Sequence, residues 1–229
     1  MLAGSALITA ASLAYFDFDT LPPFVIEKLP VRFETLWLTS LRVHVAAASL
    51  SFPLCLALMT RALQRRAAWH RRLGRFAGML VLLALVPSGV VLSFDAKGGK
   101  AVSAGFLLSA AIVAASMVRG VLAARRRDLI LHRRAMRHVV GQMSVAVTSR
   151  ALILALNALG VDPDVSYVVA LWGPVLVSAA VVELISLQAV SRTPCPPVNP
   201  VERIHREVSP LAVLLRLRSF FRPLARLGR

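Results

Sequence analysis

The sequence predicts an all-α polytopic transmembrane bundle of about six membrane-spanning helices with both termini cytoplasmic, on three observations. The 229-residue chain is 57% hydrophobic with a mean hydropathy of +0.70, above the roughly 45 to 50% apolar share of soluble domains. Its apolar runs approach the ~20 residues that cross a bilayer. The loops between those runs alternate between arginine-rich and arginine-poor, which is the pattern that orients membrane bundles.

The elements follow in order. Residues 2–16 form a short apolar run without a basic region before it or a small-residue cleavage site ahead of Asp17 and Asp19, so it is expected to be a retained first span. A loop over 17–37 carries Pro22, Pro23 and Pro30 and is acidic on balance. Five further spans are expected at about 38–60, 73–94, 101–123, 139–160 and 166–190. Arg61, Arg65, Arg66, Arg71, Arg72 and Arg75 fill one connection, and Arg119, Arg125, Arg126, Arg127, Arg133, Arg134 and Arg137 another. The connections Asp95 to Lys100 and Val161 to Val165 hold few basic residues. Positive residues mark the cytoplasmic side, so the arginine-rich connections and both termini are expected inside.

Residues 1–190 thus form the bundle, and 191–200, with four prolines, a linker that cannot be helical. Beyond it, 201–229 mixes Leu, Val and Phe with seven arginines. This tail suits either an amphipathic helix on anionic lipid or a disordered basic segment.

A net charge of +16 would suit nucleic acid if it formed one face of a soluble fold. Here it is divided among the connections between apolar runs. The expected partners are therefore the lipid bilayer and anionic lipids at the inner face, with no nucleic acid. Cys55 and Cys195 lack the spacing of a disulfide framework or of a metal site, and both are read as unpaired.

One device recurs. WHRRLGR from Trp69 and LHRRAMR from Leu131 share the form His-Arg-Arg-x-x-Arg, and each opens a long apolar segment. His70 and His132, with His138 as alternate, are candidates to hold a haem iron from two sides, with the arginines beside the propionates. The competing reading makes both collars membrane anchors. In the fifth span Gln142, Ser149, Arg150 and Asn157 fall within about a third of the circumference, a stripe expected to face the interior. Arg150 lies about 18 Å beyond His138 along the helix, where an arginine costs at least ~2.5 kcal/mol unless paired or hydrated.

His44 lies near that depth, so His44 and Arg150 are expected to form a polar pocket, hydrated or holding an anion. Otherwise Arg150 bonds backbone carbonyls at the Pro87-Ser88-Gly89 or Trp172-Gly173-Pro174 kinks. Glu183 belongs to the same candidate polar set, but its depth puts it near the inner end, where it is expected to accept hydrogen bonds from the arginine collar. Gly74 and Gly78 give a small-xxx-small pattern for close helix packing. No nucleophile motif, phosphate loop, dinucleotide fingerprint or HExxH occurs, so no catalytic residue is assigned.

The ordered set of His44, HRRLGR at 70–75, HRRAM at 132–136, Arg150, Trp172 and Glu183 resembles the bacterial predicted membrane proteins of domain-of-unknown-function family 2306 over about residues 38–190. Ala135 stands where that family usually has an aromatic, and the basic tail is extra. The resemblance implies a multi-pass protein of the bacterial inner membrane. In helix count and histidine placement the chain is also similar, more weakly, to cytochrome b561-like bundles, which use two histidine pairs. The fourth span here has no histidine, so that likeness implies at most one complete haem site.

Overall fold

A computed structural model describes residues 15–16, 23–31, 33–96 and 98–191. The expected first span at 2–16 and the linker and tail from 192 onward lie almost wholly outside the described residues. The helices are α1 (Pro23–Lys28), α2 (Glu34–Leu58), α3 (Arg61–Arg65), α4 (Ala67–Met79), a π-helical segment (Leu80–Leu85), α5 (Val86–Phe94), α6 (Gly99–Arg125), α7 (Leu129–Ala158) and α8 (Pro163–Ser191). No strand occurs among the described residues.

Five of these stretches are long and apolar enough to cross a membrane: Glu34–Leu58, Ala67–Phe94, Gly99–Arg125, Leu129–Ala158 and Pro163–Gln188. They correspond to the second through sixth expected spans. All five begin earlier than expected, α7 by ten residues, at 129 against 139. The arginine collars are themselves helical, because Arg, Leu, Met and Ala are strong helix formers whatever their polarity. Asp128 caps α7 by accepting from the Leu131 amide at 2.9 Å. Asp162 does the same for α8, accepting from Asp164 and Val165 at 3.0 and 3.1 Å, ahead of Pro163 at the first helical position.

Between Ala67 and Phe94 the chain stays helical through a proline. Pro87 has no amide hydrogen, and its ring clashes with the carbonyl four residues back in a regular helix. The π-helical turn at Leu80–Leu85 immediately precedes it and widens the spiral there. Ser88 Oγ donates to the carbonyls of Ala84, at 2.5 Å, and Leu85, at 3.1 Å. Polar backbone that lipid could not satisfy is thereby satisfied within the protein.

Side chains from four of the long stretches meet in one apolar cluster: Phe52 and Cys55 of α2, Val81 and Leu85 of the π-helical segment, Val113 and Met117 of α6, and Val139 and Met143 of α7. Cys55 is free and buried there. A second cluster joins Val102 of α6 and Val145 of α7 to Leu171 and Val175 of α8. In lipid such contacts stabilise through close packing more than through exclusion of water. Gly105 shows the principle, since a Cβ there would meet Leu171 Cδ2 at 2.8 Å. Of the two glycines expected to pack, Gly78 is buried with its Cβ position 3.9 Å from Met117 Sδ. Gly74 has nothing within 4 Å.

Contacts divide the chain after Ser186, so the bundle described here ends at that residue.

Candidate functional site

The arginine-rich end gathers the collar histidines. His132, in the first turn of α7, lies across from the last turns of α6, and its Nδ1 donates to the Gly120 carbonyl at 2.9 Å. Gly120 permits this approach: a Cβ there would run into Met136 Cε and stand 3.3 Å from Ala135 Cβ. Because a carbonyl only accepts, Nδ1 carries the hydrogen and Nε2 keeps its lone pair. His70 of α4 is half-buried with an Nδ1 that is buried and without a hydrogen-bond partner. The two imidazoles lie close enough to act on one another electrostatically. The second collar histidine thus presents a free Nε2 near the first.

His138 does not share that role. Its Nε2 donates to Glu183 Oε1 at 2.7 Å, so its free lone pair is on Nδ1, which is buried. Arg134, one turn earlier on α7, pairs with the other carboxylate oxygen of Glu183. Glu183 therefore accepts from the collar, as its depth in α8 implied. Arg134 is correspondingly engaged with a carboxylate, leaving Arg71, Arg72, Arg75, Arg133 and Arg137 as the collar arginines available to an anionic ligand.

One turn deeper, Gln142 is 3% exposed. Its Oε1 accepts from Ser109 Oγ of α6 at 2.9 Å. Its Nε2 donates to the Val175 carbonyl at 3.0 Å and to Ser178 Oγ at 2.9 Å, both on α8. A single amide therefore ties three helices together with both donors used. Sequence reasoning placed Gln142 on the polar stripe but missed Ser109 and Ser178, since a buried serine in an apolar run carries no distinguishing signal.

The polar stripe does not face the interior as a whole. Gln142 is buried, whereas Arg150 and Asn157 are exposed. Arg150 Nη1 donates to the Ala146 carbonyl of its own helix at 2.7 Å, a backbone bond but not one at either proline kink. The correction is angular: Arg150 lies some 80° around the helix from Gln142 at 100° per residue, so a narrow buried face leaves it at the rim. Arg150 is still close enough to His44 and Tyr167 to act on both electrostatically. His44 Nδ1 contacts the Leu85 carbonyl at 3.1 Å and Ser88 Oγ at 3.2 Å, at the end of the π-helical segment. Gly89 makes room for the ring, since a Cβ there would stand 3.0 Å from His44 Cε1. Glu183 is separate from this group, being held by Arg134 and His138. Trp172 Nε1 donates to the Ala101 carbonyl of α6 at 3.1 Å, closing the opposite end of the bundle.

Neither a curated protein nor a solved structure matches the chain. A family model described as "Predicted membrane protein (DUF2306)" matches residues 41–186, most of the chain and nearly all of the described bundle. The five apolar helices agree with that description, and the chain belongs to this family of predicted membrane proteins.

Proposed function

We propose that the protein is a multi-pass electron carrier of the bacterial inner membrane that holds one b-type haem between His70 and His132. The observation that carries this reading is the bond from His132 Nδ1 to the Gly120 carbonyl at 2.9 Å. Histidines that ligate metals commonly donate their other ring N–H in this way, which fixes the tautomer and aims the free nitrogen. The nearby His70, with a buried and unpartnered Nδ1, supplies a second imidazole. This donor set fits haem iron, whose porphyrin needs only two axial ligands from protein. Among the described residues no group of three His, Cys, Asp or Glu is placed to hold a bare ion. When bound, haem would supply one-electron redox chemistry. The chain's own part is to orient the imidazoles and to balance the propionates with collar arginines. The test is an absorption spectrum of the purified protein, in which two histidine ligands give sharp reduced-state bands and an empty bundle gives none.

The orientation proposed is the one the arginine distribution favours, six spans with both termini cytoplasmic and the collars on anionic lipid of the inner leaflet. Reporter fusions after Arg127 and after Ser191 are expected to read as cytoplasmic, and one at Asp162 as external. An external signal after Arg127 would reverse the arrangement.

A second reading, a non-enzymatic transport or scaffold role, is favoured by His44 at the end of the π-helical segment with the charge of Arg150 near it, since π-turns frequently mark functional sites. Arg150 makes one hydrogen bond, exposed and within its own helix, while its charge carries an insertion cost of at least ~2.5 kcal/mol. Arg150→Leu is therefore expected to leave the thermal midpoint unchanged or raise it. A lowered midpoint would make Arg150 a structural residue and remove the argument for a pocket kept for function.

A further inference from the structure

The turn between α6 and α7 is used by neither reading above, and the lengths of the two helices carry it clear of the lipid. About 20 residues of helix cross the hydrocarbon core. Counted from the arginine-poor end, at Gly99 on α6 and Ala158 on α7, that length runs out beside Arg119 and Arg137. From there α6 continues to Arg125, about 9 Å beyond Arg119, and α7 has begun at Leu129, about 12 Å before Arg137. The headgroup layer is roughly 5 to 8 Å deep, and an average helix tilt of about 20° shortens those distances by only about a twentieth. The tip from Arg125 to Ile130 therefore reaches water.

Two features of this tip have no account within the bundle. Leu129 is 57% exposed and Ile130 79%, in the first turn of α7, where neither lipid nor another helix covers them. The chain turns on Arg127, whose φ is 60°. That left-handed conformation suits glycine, the usual residue where a helix ends in this way, and strains a residue that carries a Cβ. The turn is otherwise well made, since the amides of Arg126, Arg127 and Asp128 donate to the carbonyls of Leu122, Ala124 and Ala123 at 3.1, 3.1 and 3.0 Å. An arginine side chain thus stands where the backbone would be better served by none. Arg125, Arg126 and Arg133 are exposed around it, and among the described residues none of the four pairs with a carboxylate.

We infer that the α6–α7 tip is a docking surface for another protein, one that presents carboxylates around aliphatic side chains. Charge selects this occupant. Two copies of the chain meeting here would set arginines against arginines, and the segment 201–229 brings seven arginines of its own. Anionic lipid supplies the right charge, but its tails lie a headgroup's depth away from Leu129 and Ile130. An acidic protein surface with an aliphatic centre satisfies both parts of the tip at once, and it does so whether or not haem binds.

The full chain in nanodiscs of neutral phospholipid is titrated with a synthetic peptide that carries leucines along one helical face and glutamates along the other, and with its counterpart in which lysines replace the glutamates. The glutamate peptide is expected to bind, less tightly as salt is raised, and the lysine peptide not to bind. Arg127→Gly relieves the strained backbone, so it is expected to raise the thermal midpoint and yet to weaken the glutamate peptide about fivefold. An arginine kept only for the turn would lose no affinity. Leu129→Ser combined with Ile130→Ser is expected to weaken binding about tenfold. No binding of the glutamate peptide, equal binding of both peptides, or an affinity unchanged in either variant would overturn the proposal. A spin label on Ile130→Cys, with Cys195→Ser and with Cys55 buried, reads the position of the tip. Relaxation by a water-soluble reagent is expected, and relaxation by oxygen dissolved in the lipid would assign the patch to the membrane and overturn the proposal equally. Should the serine pair not fold, Arg127→Gly and the label decide.

Discussion

On the proposed haem site, changing His132 to alanine is expected to remove the reduced-state spectrum completely, and His70→Ala to do the same, whereas His138→Ala leaves it in place. The contrast follows from how the three rings are held. His132 offers Nε2 because its Nδ1 is tied to the Gly120 carbonyl, while His138 has its own Nε2 bonded to Glu183. Iron coordinated by two imidazoles loses its low-spin character when either is removed, so the effect of each ligand substitution is all or nothing in the sharp bands. Protein folded normally, as judged by helical circular dichroism, but spectrally unchanged in both ligand variants would reject the pair. Loss in His138→Ala alone would move the site to a different histidine.

The second large effect is expected at Gln142. Removing its amide deletes three interhelical hydrogen bonds, to Ser109, Val175 and Ser178. Such bonds in membrane bundles average about 0.6 kcal/mol each, so Gln142→Leu, which fills the space, is expected to cost about 2 kcal/mol. Gln142→Ala adds a cavity of several carbon atoms and is expected to cost about 3 to 4 kcal/mol. Unfolding in mixed detergent micelles measures both. A loss under about 0.5 kcal/mol in the alanine variant would show that the serines find other partners and that the amide does not staple the helices.

The five helices long and apolar enough to cross a membrane were legible because lipid demands long apolar runs, and nothing soluble competes with that signal in a chain of this composition. Their starts were not, since His70 and His132 sit in helical turns whose polarity resembles a loop. Glu183 was legible by depth: counting the rise along the last helix put it beside the arginine collar, where it is bonded to Arg134 and His138. The partner of His132 was hidden for a different reason. It is the main-chain carbonyl of Gly120, and a carbonyl has no residue identity to read. For Arg150 the periodicity gave the correct angle on the helix but not how wide the buried face is, and the stripe proved broader than that face. The proline kink was visible at Pro87, yet the wide turn that accommodates it lies upstream, in the unremarkable sequence LVLLAL.

That wide turn also sets the phase between two halves of one membrane segment. A π-turn bonds each amide to the carbonyl five residues back instead of four, so it absorbs one residue more than a regular turn. In an ordinary helix an extra residue would rotate everything beyond it by about 100°. Here the extra residue is taken up locally, so that the face bearing His70 and the face bearing Gly89, against which His44 rests, are both aligned with their neighbours. A descendant chain lacking one residue anywhere within Leu80–Leu85 could close the bulge into plain α-helix and keep both faces in place. The same deletion a turn or two earlier, among Gly74 to Gly78, would turn the collar by about 100° if the bulge were kept.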